Sequence, residues 1–214
     1  SKPELKPQLS VAPSLFPFAD FKNQAIIICL VGFALYFNSF QNEFALDDGI
    51  VIIKNEYVQK GFGGIGKILS TDAYESFYRQ MNAKDQLSGG RYRPLSIVTF
   101  AIEHQLFGES WGVRHFFNVA FFLCSLVIML KFLRTVVFPS KPDIAFLTTL
   151  LFAIHPIHTE VIANVKSRDE ILSLLFILLT LLYTFNYHQN TRIKNNLWKA
   201  LACFFLALLS KEYA

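Results

Sequence analysis

Asp47 and Asp48 stand side by side just past an uncharged apolar run, in NSFQNEFALDDGIVI. Adjacent carboxylates repel each other, and beside a membrane they lie close to a region of low dielectric. Opposite cations, such a pair suits proton abstraction or the holding of a hydroxyl. Cations occur at several other places: Arg91 and Arg93 in GGRYRPLS, Arg168 in SRDE and Lys211 in SKEYA. His155, His158 and Glu160 share the stretch HPIHTE, and Glu212 follows Lys211. Arginine grips phosphate with a planar fork, and paired cations stabilise a departing phosphate. Together these types suit attack by a hydroxyl on a group carried by a lipid-linked phosphate. One acid is expected to act as base, and the other to hold a sugar hydroxyl or orient a neighbour. In an extended segment the two would point to opposite sides.

The elements that must position these residues are membrane spans. The chain has 214 residues, 53% hydrophobic and 17% charged, with 23 phenylalanines. That composition, with its long uncharged runs, implies an all-α polytopic membrane protein. Spans are expected at about 23–42, 114–137, 144–158, 169–187 and 197–210, the third and fifth on the short side of what a bilayer requires. A cytoplasmic segment, 1–22, precedes them. Between the first two lies a long outer loop, 43–113. Within it, Pro94 suits a first helical turn and Gly108 a helix end, giving an interfacial helix over 94–107. Leu95, Val98, Ile102 and Leu106 form its expected apolar face. The cysteines, Cys29, Cys124 and Cys203, fall inside apolar runs and read as small packing residues.

Basic residues give the orientation. Lys2, Lys6 and Lys22 precede the first span, Lys131, Arg134 and Lys141 link the second and third, and Arg192, Lys194 and Lys199 link the fourth and fifth. The positive-inside rule makes that side cytoplasmic. The acid pair and all the candidate cations above then converge on the opposite face.

Three motifs invite other readings. GFGGIGK, Gly61 to Lys67, matches G-x-G-x-x-G, but no strand or βαβ unit surrounds it, and it reads as a flexible loop. SRDE reads as a capping box, with Ser167 capping the fourth span and Glu170 reaching back; capping leaves Arg168 unexplained. HPIHTE has metal-ligand residue types, but Pro156 disturbs their spacing, so no metal is expected there.

Taken together, NEFALDDGIVIIKNEYV, GGRYRPLSIVTFAIEHQLFG, LLFAIHPIHTEVIANVKSRDEILSLLFILL and LALLSKEYA resemble the C-type glycosyltransferase superfamily. The resemblance covers about residues 20–214, and is nearest to the membrane part of the transmembrane and tetratricopeptide-repeat O-mannosyltransferases and their bacterial relatives. It implies a C-type glycosyltransferase-like helix bundle and inverting transfer of a sugar, typically mannose, from a polyprenyl-phosphate donor to a hydroxyl of a protein acceptor. Asp47 or Asp48 would be the base. Arg93, then Arg91, would bind the donor phosphate. His155, His158, Glu160, Arg168, Lys211 and Glu212 would line the site. No cofactor is implied beyond the lipid-linked donor, a divalent metal has no support, and no nucleic-acid partner is expected.

No 34-residue repeat is present, so the chain reads as part of a larger module whose remainder, or a partner subunit, is expected. A bacterial inner membrane with a periplasmic site is the preferred location, with an endoplasmic reticulum membrane and lumenal site as the alternative. A competing class is a catalytically silent membrane scaffold of the same fold. A transporter would call for a midplane site between inverted repeats, and the polar groups gather at one face instead.

Overall fold

The computed structural model describes residues 16–17, 19–44, 47–82 and 91–213. Lys2 and Lys6 lie outside them. Helix α1 (Phe21–Tyr36) starts where the Asp20 carboxylate accepts from the Asn23 amide at 3.2 Å, and tightens into a 3₁₀ turn over Phe37–Gln41. The long helix α6 (Trp111–Phe132) is capped by Ser110 and runs into a π-helical turn at Leu133–Val137. Helix α7 (Pro142–Ile154) begins at its proline. It stops at Ile154, four residues short of the expected end, because His155 is extended ahead of Pro156. A short α8 (His158–Ala163) follows, then α9 (Arg168–Gln189) and α10 (Lys194–Ser210), which pack against each other.

No strand occurs among the described residues, and the protein is an all-α polytopic membrane protein. Three helical stretches are long and apolar enough to cross a bilayer: 21–41, 111–137 and 165–189. Helices α7 and α10 are shorter. Leu30, Phe33, Leu151, Trp198 and Phe205 are exposed on these helices, as lipid-facing side chains must be.

Two cores meet at the site. The first lies between α1, α6 and α7, around Ile28, Tyr36, Phe122, Leu126, Leu130 and Phe146. The second belongs to the outer loop. Three short helices, α2 (Glu56–Gln59), α3 (Ile65–Ile68) and α4 (Glu75–Gln80), form a cap with Val51, Ile52, Tyr57, Val58, Ile68 and Tyr74 inside. Helix α5 (Pro94–Phe107) closes that core with Ile97, Phe100 and Ala101. Its ends are the expected ones, and the face it buries against the protein is a different one from the apolar stripe read in the sequence. Leu95, Val98 and Ile102 are only half-buried and Leu106 is exposed. The residues between them in the helical pattern turn inward, because α5 is wedged between cap and bundle.

GFGGIGK is not a flexible loop. Gly61–Gly64 is a 3₁₀ turn leading into α3. Gly61 has φ +56°, and a β-carbon on Gly64 would lie 1.8 Å from the Tyr57 carbonyl oxygen. Gly61 is required for its left-handed backbone and Gly64 for close packing.

Candidate active site

The acid pair begins a helical turn. Asp48 has φ −55° and ψ −39° and leads into a π-helical turn at Gly49–Ile53, so the extended segment expected here does not form. The two side chains still diverge. Asp48 is 1% exposed, and its Oδ1 accepts from the Lys166 amide at 2.6 Å. Asp48 also lies within electrostatic reach of the buried Arg114 and Arg168. The Asp47 side chain is 47% exposed. Its Oδ2 accepts from the Tyr74 hydroxyl at 3.1 Å and lies 3.8 Å from Lys166 Nζ. One acid is built into the wall, and the other opens to the surroundings.

The turn before α4 brings Tyr74 to Asp47. Asp72 Oδ1 accepts from the Tyr74 amide at 2.8 Å, and its other oxygen accepts from the Arg91 amide. Ala73 N donates to the Arg91 carbonyl at 3.1 Å, and the Arg91 guanidinium lies 4.7 Å from the centre of the Tyr74 ring. Burial, then the Asp47 charge and hydrogen bond, push the Tyr74 phenol up to about 12.

Arg93 forms the other half of the cluster. It precedes Pro94, which starts α5 and fixes where the arginine leaves the helix. Nε and Nη2 donate to the two oxygens of Glu212 at 2.8 and 2.6 Å, and Nη1 donates to Asp169 Oδ2 at 2.8 Å. These bonds, the Glu212 pair foremost, raise the guanidinium above its ordinary value, and they pull the Glu212 carboxyl down to about 2. Lys211 pairs with Glu170 and lies 3.9 Å from Asp169. Burial lowers its ammonium. Tyr213 donates to the other Glu170 oxygen. The two halves adjoin: Arg93 acts electrostatically on Tyr74, and Lys166 on Lys211.

Glu170 is therefore not a capping-box acid, and Ser167 makes no side-chain cap. Ser167 ends a 3₁₀ turn with ψ 9°, outside the extended backbone that capping needs, and Lys211 and Tyr213 claim the Glu170 carboxylate.

The remaining candidates are placed differently. Arg168 is 0% exposed, so it stands behind the site and not on its surface. Its guanidinium donates to Asn118 Oδ1 at 2.7 Å, Thr99 Oγ1 at 2.8 Å, the Arg114 carbonyl at 2.9 Å and Glu103. His158 packs its ring 4.2 Å from that of Phe152 and is pushed down by burial. With Glu170 it lines a cavity of about 210 Å³ whose other walls are apolar. His155 and Glu160 are exposed, and His155 Nδ1 accepts from the Ile157 amide. Among the described residues, no three His, Cys, Asp or Glu side chains gather as metal ligands.

The chain is similar to human protein O-mannosyl-transferase TMTC1, 33% identical over 175 residues, which is 81% of this chain and 19% of that protein. Mouse protein O-mannosyl-transferase TMTC4 is 28% identical over 94% of this chain and 29% of its own length. Protein O-mannosyl-transferase F38B6.6 of Caenorhabditis elegans is 29% identical over 89% of this chain and 26% of its own length. This chain is a homologue of the TMTC protein O-mannosyl-transferases. It spans less than a third of the length of these relatives. No family model matches it, and no solved structure does.

In this TMTC homologue, sequence reasoning missed Lys166, Tyr74 and Asp72. Lys166 stands two positions before Arg168, in the turn that enters α9. Its place in the outward link between the third and fourth spans, on the same face as DD, was the available signal. Tyr74 and Asp72 carried no signal, since they lie in an irregular cap whose folding back onto the acid pair no periodicity announces.

Proposed function

We propose that this chain carries the acceptor-activating and donor-binding groups of a membrane glycosyltransferase. The transfer moves mannose from a polyprenyl-phosphate donor to a Ser/Thr hydroxyl of a protein, on the non-cytoplasmic face. The observation that carries the reading is the division of the acid pair. Asp47 is half-exposed, and its carboxylate is aimed by Tyr74 and Lys166. Asp48 is buried and bonded to backbone. The similarity to proteins named for O-mannosyl transfer supports the sugar and the acceptor class.

In this mechanism Asp47 accepts the proton of the acceptor hydroxyl as its oxygen attacks the anomeric carbon. The bond from that carbon to the phosphate oxygen breaks, and polyprenyl phosphate leaves with the electron pair. A single displacement inverts the configuration. Arg93 takes the phosphate on the fork that Glu212 now fills, and Lys211 and Lys166 add positive charge nearby. Asp48 holds the Lys166 turn and so fixes the entry to α9. His158 lines the adjoining cavity, while Arg91 supports Tyr74.

The test uses the full-length protein in nanodiscs, radiolabelled polyprenyl-phosphate-mannose and a Ser/Thr peptide pool. Asp47→Asn is expected to abolish label transfer with expression and thermal midpoint intact. Asp48→Asn is expected to lower the thermal midpoint as well. Wild-type transfer rates in Asp47→Asn would overturn the assignment of the base and leave Asp48 as the candidate, whereas no transfer by the wild type would favour a scaffold of the same fold.

A further inference from the structure

The geometry points to Tyr74 as a positioning residue for the transfer, acting through Asp47 by its hydroxyl hydrogen bond and held in place by the Asp72–Arg91 turn. The inference rests on the reading of Asp47 as the base and adds a residue to it. Three observations carry it. Tyr74 is 5% exposed, yet its hydroxyl reaches out of the cap core to the exposed acid at 3.1 Å. Both flanks of the residue are pinned: its own amide by Asp72, and Ala73 by the Arg91 carbonyl. Its ring lies against the Arg91 guanidinium on one side and the Tyr78 ring at 6.3 Å on another. A buried phenol needs a partner for its hydroxyl, and here the partner is a carboxylate that also has a lysine at 3.8 Å.

A half-exposed carboxylate with no fixed donor can rotate away from an incoming hydroxyl. A rigid donor fixes one oxygen and leaves the other for the proton. Tyr74 stays protonated throughout the working range, since its phenol is raised to about 12. The charged groups that face the pair are Lys166 beside Asp47, and Arg91 and Arg93 beside the phenol. Removing the hydroxyl removes a donor to the ionised acid, and a carboxylate that loses a donor protonates more readily. The acid limb of the rate profile must then move to higher pH.

The experiment compares wild type, Tyr74→Phe and Asp47→Asn in the full-length protein, with Tyr78→Phe as a control that keeps the ring packing. Expected for Tyr74→Phe is a kcat loss of roughly 10- to 100-fold, as for one hydrogen bond to a charged group. Donor KM stays unchanged and the acid limb shifts upward. Fluorotyrosines placed at position 74 should shift the limb in order of phenol acidity, which packing alone would not do. Tyr74→Phe with wild-type kcat and an unmoved limb overturns the inference while leaving the base assignment standing. A fully active Asp47→Asn overturns the base assignment itself.

Discussion

Arg93 and Glu212 meet fork to fork across 119 positions of sequence, with Nε–Oε2 at 2.8 Å and Nη2–Oε1 at 2.6 Å. That is the geometry arginine offers a phosphate, and here a carboxylate fills it. Glu212 is half-exposed, whereas Asp169, on the third nitrogen, is buried. On the proposed reading, an incoming phosphate would displace Glu212 and keep Asp169. Arg93→Ala should weaken binding of polyprenyl phosphate by roughly 100-fold or more, since several charge-assisted bonds are lost. Glu212→Ala should strengthen it by a few-fold, because nothing then competes for the fork. Binding of labelled polyprenyl phosphate to the two variants in nanodiscs checks both. Weaker binding in Glu212→Ala would make Glu212 a direct part of the phosphate site.

The same pair gives a pH signature. Glu212 falls to about 2 in the folded protein, below its ordinary value. A depressed carboxyl contributes stability that is fully present above its unfolded value and is lost as pH falls through the folded one. The thermal midpoint of wild type should exceed that of Glu212→Gln by a constant margin from pH 7 to about pH 5. The margin should then shrink toward pH 2. Partial exposure of Glu212 makes the margin small, and salt should reduce it further.

Behind the site, Arg168 and Glu103 form a buried pair, 0% and 5% exposed. Arg168 also lies 4.3 Å from the Phe100 ring centre and bonds α5 and α6 to the start of α9. Removing one partner strands the other charge. Arg168→Met should cost about 3–5 kcal/mol, seen as a large drop in thermal midpoint and in yield. Adding Glu103→Leu should recover much of the loss, since paired removal leaves no orphan charge. Failure of the double variant to recover would mean that Asn118, which also holds the carbonyls of Asn164 and Val165, depends on Arg168 more than Glu103 does.

The sequence made some of this legible. Helix α5 was bounded correctly because Pro94 and Gly108 act locally, and the apolar runs announced α1, α6 and α9 by composition alone. Of the residues whose types suggested chemistry, Asp47, Asp48, Arg93, Lys211 and Glu212 do lie in one connected cluster. What failed depended on tertiary neighbours. Burial of Arg168 turns on Glu103 and Asn118, 65 and 50 positions away. The Glu170 capping role gave way to Lys211, 41 positions on. Tyr74 reaches Asp47 only because the cap folds back on itself, and no helical or strand period encodes that.

The cap supplies the last prediction. Its own turns are held together at a glycine that admits no side chain. A β-carbon on Gly64 would sit 1.8 Å from the Tyr57 carbonyl oxygen, and backbone on both sides leaves nothing flexible to yield. Gly66, two residues on, has nothing within 4 Å of its would-be β-carbon and lies inside α3. Gly64→Ala should therefore loosen the cap, while Gly66→Ala should be neutral or slightly stabilising, as alanine restricts the unfolded chain. Limited proteolysis separates the two: Gly64→Ala should be cut within residues 55–82 at protease levels that spare wild type and Gly66→Ala. Because Tyr74 rides on the cap, label transfer should fall in Gly64→Ala along with protease resistance. A Gly64→Ala protein that resists proteolysis like wild type would show that Tyr57 can move aside, and that the cap tolerates a looser fit between its own turns than its packing implies.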